Sequence, residues 1–261
     1  MTKIMPILVA THKDYAMPSD KFYQPIYVGS ALHKKKINNF LSDATGDNIS
    51  IKNPYYNELT ALYWAKYNLQ DQKIIGLAHY RRFLGHKASH QYQDILTEYE
   101  VNQALENFDV LVPKARNYWI ENQEQHYLNA HSHEPWQILQ KVIAEQFSDY
   151  QQAFKQVSAS KKAHLFNMSI MKQTEFQAYT DFLFDVLSAV EKELDFTKLH
   201  DQDQRALGFL GERMLDVWLI KTNSTYQEFP MVSIEKINWI TKGWHFLLRH
   251  FGLKHQAKTH F

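Results

Sequence analysis

Four short apolar runs, separated by stretches with helical spacing, limit what this chain can become more than any other feature. They are IMPILVA (4–10), KIIGLA (73–78), FDVLVP (108–113) and AHLFNMSIM (163–171). Short, uniformly apolar runs of this kind suit strands covered on both faces of a sheet. A further segment, FYQPIYVG (22–29), reads as extended, and Pro25 in it predicts an edge or a bulge. Strands that alternate with helices give an α/β fold whose central sheet is mostly parallel and flanked by helices. No repeat, low-complexity tract or Gly/Ser linker divides the chain, so one domain is expected over residues 1–235. A basic amphipathic tail, expected to be helical, follows at 236–261.

The helices carry their own punctuation. Asn53 with Pro54 predicts the start of a helix through PYYNELTALYWAKYNL, where Tyr55, Leu59, Leu62, Tyr63 and Tyr67 recur at helical spacing. The TEYE sequence at 97–100 has the capping-box pattern and should open a helix ending near Asn107. Helices are expected within 122–157, with start signals at Glu134-Pro135 and at Ser148, and two longer ones over 173–194 and 202–221.

Composition removes several classes of function. The formal net charge is +1, so there is no global electrostatic footprint for nucleic acid, and no nucleic-acid partner is expected. Cysteine is absent, which excludes disulfides and thiolate metal sites and suits a reducing compartment. The N-terminus has no signal-peptide pattern and no window reaches transmembrane length, so a cytoplasmic location is expected.

In sheets of this type ligands bind beyond the carboxyl ends of the strands. The first run ends in Thr11-His12-Lys13, groups able to grip an anion or a base. The second ends in His79-Tyr80-Arg81-Arg82. If that segment stays extended, His79 and Arg81 share one face while Tyr80 and Arg82 share the other. One arginine would then meet an anion and the other brace a loop. In HDQDQRALGFLGERML (200–215), Arg205, Gly208 and Glu212 align on one face of a continuous helix. Gly208 and Gly211 either admit a close neighbour or mark a break that puts Glu212 at a helix start. Asp201 and Asp203 resemble an Asp-x-Asp metal pair, yet they stand where acids commonly cap a helix. His126, His131 and His133 lack a carboxylate at ligand spacing, and no metal site is assigned to them.

The segments ATHK, GDNIS-x-KNPYYNELTALYWAKYN, IGLAHYRRFL, FDVLVPKAR, NMSIMKQTEF and QRALGFLGERML occur in an order that resembles a bacterial glycosyltransferase family. That family was long filed as a domain of unknown function and is common in capsular and exopolysaccharide gene clusters. The resemblance spans about residues 3–222. It implies a GT-A-like fold and inverting transfer of galactofuranose from a UDP-sugar to a capsular, exopolysaccharide or O-antigen glycan carried on a polyprenyl diphosphate. It also implies donor binding by Thr11, His12, Lys13, Asn48, Lys52, Asn53, His79, Tyr80, Arg81, Arg82, Asn167 and Arg205. Glu212 becomes the expected general base, with Glu58 and Asp201 as alternatives or acceptor contacts. No organic cofactor is implied. A manganese or magnesium ion would fit the fold type, but no mid-chain Asp-x-Asp indicates one. The sequence departs from the family at Ile51, where an acid is expected, and at Asn57, where a cysteine is expected. A different reading, a non-catalytic module that binds a polysaccharide or lipid-linked glycan, fits the same aromatics and basic tail.

The tail itself, KINWITKGWHFLLRHFGLKHQAKTHF, carries five Lys/Arg and no acid among Trp, Phe and Leu. It suits an anionic membrane surface, making the protein peripheral on the inner face, and it equally suits a helix packed on the domain.

Overall fold

A computed structural model describes residues 7–34 and 37–235. The expected tail and the first residues of the opening strand lie outside that range. The strands are β1 (Ile7–Thr11), β2 (Tyr23–Tyr27), β3 (Leu41–Ser42), β4 (Ile74–His79), β5 (Arg82–Leu84), β6 (Val110–Pro113), β7 (Arg116–Asn117), β8 (Lys162–Ala163), β9 (Ser169–Lys172), β10 (Tyr226–Phe229) and β11 (Met231–Ser233). The helices are α1 (Asn53–Tyr56), α2 (Leu59–Asn68), α3 (Glu98–Asn107), α4 (Gln123–Ala130), α5 (His133–Gln146), α6 (Gln151–Ala159), α7 (Gln173–Glu193) and α8 (Ala206–Thr222).

The main sheet runs in the order β10-β6-β9-β4-β1-β2-β3, with β5 and β11 added beside β4. Along that path every strand except β9 points the same way. The expectation of an α/β domain with a mostly parallel sheet between helices is therefore met. Side-chain alternation sorts the sheet into two cores. Leu8, Ala10, Ile75, Leu77, Val110, Val112 and Met171 face a layer built from α2, α5, α6, α7 and α8. Ile7, Val9, Ile74, Ala78, Leu111 and Ile170 face a thinner layer of α3, β5 and β11. Burial on both faces explains why these strands read as unbroken apolar runs. Pro25 sits in β2 where β3 does not reach, since β3 pairs only with Ile26 and Tyr27.

Capping chemistry places the helices well. Thr97 and Glu100 close the expected box on α3, and Asn122 and Gln125 form another on α4. Four expectations need correction. The helix predicted through 54–69 is broken at Asn57, whose φ of 52° ends α1 before α2 begins. Asn53 does not cap it: Asn53 is the first helical residue, and its side chain donates to the Asn57 carbonyl at 2.7 Å. The run 163–171 is not one strand, because Phe166 and Asn167 take left-handed conformations that separate β8 from β9. The helix predicted over 202–221 is a 3-10 turn at Asp201–Arg205 followed by α8, so Glu212 lies within a helix and not at its start.

The segment between β2 and α2 is held by Asp43, which is 0% exposed. Its carboxylate accepts from the Gly29 and Ser30 backbone N–H groups and from the Ser30, Ser50 and Thr60 hydroxyls. Gly29 adopts φ +66°, and a side chain there would also run into Asn53 at 2.7 Å. Replacing Asp43 with Ala orphans several buried donors together. Urea unfolding of Asp43→Ala should show a loss of at least about 3 kcal/mol.

Candidate active site

β1 and β4 are parallel neighbours with Ala10 beside His79, so their carboxyl ends open onto one place. After His79 the chain turns at Tyr80-Arg81 and returns as β5, with His79 paired to Arg82. The extended reading is thereby corrected: His79 and Arg82 are cross-strand partners, and Arg81 occupies the turn. Opposite stand the α1–α2 junction and the first turns of α8. Gly208 and Gly211 permit that approach, since a Cβ at Gly208 would lie 2.1 Å from Asn57 Nδ2 and one at Gly211 would lie 2.7 Å from Leu59 Cδ1. Between these walls is a cleft of about 510 Å³.

Its positive charge is guanidinium. Arg82 is 5% exposed, and its guanidinium lies 4.2 Å from the Phe166 ring. Its Nε has no hydrogen-bond partner, and among the described residues no carboxylate reaches it as an ion pair. Burial, and then the charge of Arg81, pushes its pKa down to about 10, which leaves it charged at neutral pH. Arg81 pairs with Glu235 at 2.8 Å. Arg205 donates from Nε to Asn57 Oδ1 at 2.8 Å and stands over Phe209.

His79 is neutral at pH 7. His79 Nε2 donates to the Phe166 carbonyl at 2.7 Å, because a carbonyl can only accept. Burial, then Arg82, depresses its pKa to about 4. Burial and then the cations Lys13, Arg81 and Arg205 lower that of His12. His12 forms an aromatic wall with Tyr15 and Tyr80, whose rings stack at 3.9 Å.

Two carboxylates complete the lining. Glu212 accepts from the Phe166 N–H at 3.3 Å and from Arg213 at 3.0 Å. Glu58 accepts from Asn167 Nδ2 at 2.6 Å. Burial raises the pKa of both, and the charge of Glu58 raises Glu212 further. Carboxyls shifted upward beside a cleft are suited to moving protons near neutral pH.

Residues 6–224 match the family described as Domain of unknown function (DUF4422). The chain belongs to that family. Its structure is similar to the apo structure of the bifunctional glycosyltransferase WbbM, with a TM-score of 0.81 and 24% identity, over 90% of this chain and 46% of that one. The likeness is one of fold, and this chain spans less than half of the WbbM chain. No curated protein matches the sequence.

In this DUF4422 domain the cleft gathers Thr11, His12, Asn53, Glu58, His79, Tyr80, Arg81, Arg82, Arg205 and Glu212. Other expected residues lie elsewhere. Lys13 does not line the cleft, although its carbonyl accepts from the Thr11 hydroxyl at 2.7 Å. Asn48 bonds within its own loop, Lys52 pairs with Glu191 at 2.8 Å, and Asp201 is exposed and off the cleft. Asn167 sits beneath the lining and holds Glu58. Sequence reasoning passed over Asn57, Phe166 and Phe209, which do line the cleft. Asn57 carried a signal, since Asn tolerates the left-handed region better than its neighbours in a helical pattern. Of the two departures from the family, Ile51 is exposed and off the cleft while Asn57 is within it.

Among the described residues no group of three or more His, Asp or Glu side chains is placed to hold a metal ion. Asp203 is engaged by His131 and the Ser132 N–H.

His79 gives a pH test. Its folded pKa lies below the unfolded value, so its contribution is complete above about pH 6.5 and is lost as pH falls toward 4. Urea titrations of the wild type and His79→Asn between pH 7 and pH 4 should show the stability difference between them narrowing on acidification.

Proposed function

We propose that the cleft transfers a glycosyl group, with inversion, from a UDP-sugar to a glycan hydroxyl. The observation that carries this is Arg82, a buried charged guanidinium with no anionic partner among the described residues. Such a charge is costly unless an anion meets it, and guanidinium groups match phosphate oxygens in bidentate fashion. Arg81 and Arg205 line the same cleft, so a diphosphate between them would gain charge-assisted bonds that strengthen as it departs. The His12–Tyr15–Tyr80 wall offers aromatic faces to a nucleobase. The fold likeness to a bifunctional glycosyltransferase supports the same reading.

In this scheme Glu212 removes the proton of the acceptor hydroxyl as its oxygen attacks the anomeric carbon. The bond from that carbon to the diphosphate oxygen breaks, and UDP leaves against the arginines. The transition state resembles an oxocarbenium ion, which a nearby carboxylate also stabilises. Glu58, tied to Asn167, is the alternative base. Galactofuranose as the donor sugar and a polyprenyl-diphosphate-linked capsular, exopolysaccharide or O-antigen glycan as acceptor follow from the resemblance in sequence, and peripheral membrane contact through the tail follows from the tail's basic, aromatic composition. Among the described residues no helix is long and apolar enough to cross a membrane.

Glu212→Gln should lower kcat by about a thousandfold or more while the Kd for UDP changes little. Retained turnover would move the base to Glu58. Arg82→Ala should weaken UDP binding by at least about tenfold in calorimetry. Unchanged UDP affinity in that variant would remove the diphosphate from the cleft, and absence of UDP release from any UDP-sugar would favour a binding module.

A further inference from the structure

Behind the cleft wall lies a second cluster of titratable groups that the proposed chemistry does not use. His164, directly after β8, is 7% exposed. Its Nδ1 bonds Asp216 on α8, and its Nε2 lies 3.1 Å from Glu228 on β10. Its backbone N–H also donates to Asp216, at 3.2 Å. A neutral imidazole has one N–H, so one carboxylate would then face a lone pair, whereas the imidazolium donates to both. Burial, the largest influence, lowers the His164 pKa, but Asp216 and then Glu228 outweigh it and raise the value overall. The remaining neighbours are the Tyr226 ring at 5.4 Å, edge-on from β10, and Lys162 and Gln123, which line the same small cavity of about 280 Å³.

Two residues further on, the chain enters the left-handed pair Phe166 (φ 73°) and Asn167 (φ 53°). Backbone of this kind costs of order 1–3 kcal/mol per residue and persists only where its surroundings fix it. The pair makes four contacts with the cleft. The Phe166 carbonyl holds His79, its N–H reaches Glu212, its ring carries Arg82, and the Asn167 amide holds Glu58. On one side this loop is secured by β9 in the sheet. On the other side it is held by β8, which pairs with β7, by Leu165 packed with Tyr118, and by the polar clamp on His164.

We propose that His164, clamped between Asp216 and Glu228, is a positioning residue that locks the 164–168 loop and thereby aims both cleft carboxylates at the reacting atoms. The part that concerns catalysis rests on the glycosyl-transfer reading. The clamp itself does not.

His164→Gln offers an NH2 at one end and a carbonyl oxygen at the other, so it cannot donate from two ends to both carboxylates as the imidazolium does. Hydrogen exchange followed by mass spectrometry should show the 165–168 amides of this variant exchanging about tenfold faster, with α7 unchanged. In wild type the same amides should lose protection, beyond the intrinsic rate increase, as pH rises through the His164 pKa. In His164→Gln that extra loss should be absent. With a UDP-sugar, kcat should fall by about tenfold while the Kd for UDP stays within about twofold. Should His164→Gln fail to fold, Glu228→Gln, which alters the more exposed carboxylate, should loosen the loop in the same direction. Unaltered exchange at 165–168 in the folded variant overturns the clamp. Faster exchange with undiminished kcat overturns the positioning role. If wild type turns over no UDP-sugar, the transfer reading fails, and the exchange data still decide the clamp.

Discussion

Asp43 is the constraint on which the site end of the molecule depends. A fully buried carboxylate is tolerable only when its lone pairs are met, and here two backbone N–H groups and three hydroxyls meet them. The donors come from either side of a long irregular excursion between β2 and α2. Satisfying one anion therefore fixes where the excursion ends, and so where Asn57 and Glu58 enter the cleft. Thr60 links this hub directly to the junction, because its hydroxyl also accepts from the Asn53 amide at 3.2 Å.

The cleft shows how burial redistributes charge. A count of cationic residue types along the chain suggests that Lys13, His79, Arg81 and Arg82 share the work of binding an anion. In the fold His79 is neutral, Lys13 is off the lining, and Arg205 arrives from a distant segment. Three guanidiniums remain, and they keep their charge in settings where an imidazole does not. The two carboxylates facing them are pushed toward their neutral forms by the same burial.

Much of this architecture is legible in the sequence for a simple reason. Strands buried on both faces write themselves as apolar runs, and caps such as Thr97–Glu100 are local hydrogen-bonding devices. The points that escaped are those where tertiary contacts override a local pattern. Tyr55 to Tyr67 keep helical spacing, yet Asn57 turns left-handed where α8 presses against it through Gly208. The basic tip of β4 keeps strand alternation on paper, but β11 supplies a partner for β5 and the tip folds back into a hairpin. Phe166 and Asn167 sit in a run as apolar as its neighbours, and only the demands of His79, Glu58 and Glu212 on that backbone explain its break. The spacing of Gly208 and Glu212 along α8 was legible because a helix face depends on spacing alone, while Arg205 reaches the same cleft from the preceding 3-10 turn.

The final strands reach back into the site from outside the stretch that defines the family. β10 closes the sheet edge on β6, and after Pro230 the chain crosses to β11, which lies against β5 with Ser233 opposite Arg82. The Pro230 carbonyl accepts from Gly85, and the Ile234 N–H donates to Arg81. A chain ended at residue 224, where the family match stops, would retain every acid and arginine of the cleft. It would lack the backbone splint that keeps the arginine hairpin folded over them. The smallest mechanically complete unit is thus longer than the unit that sequence likeness recognises.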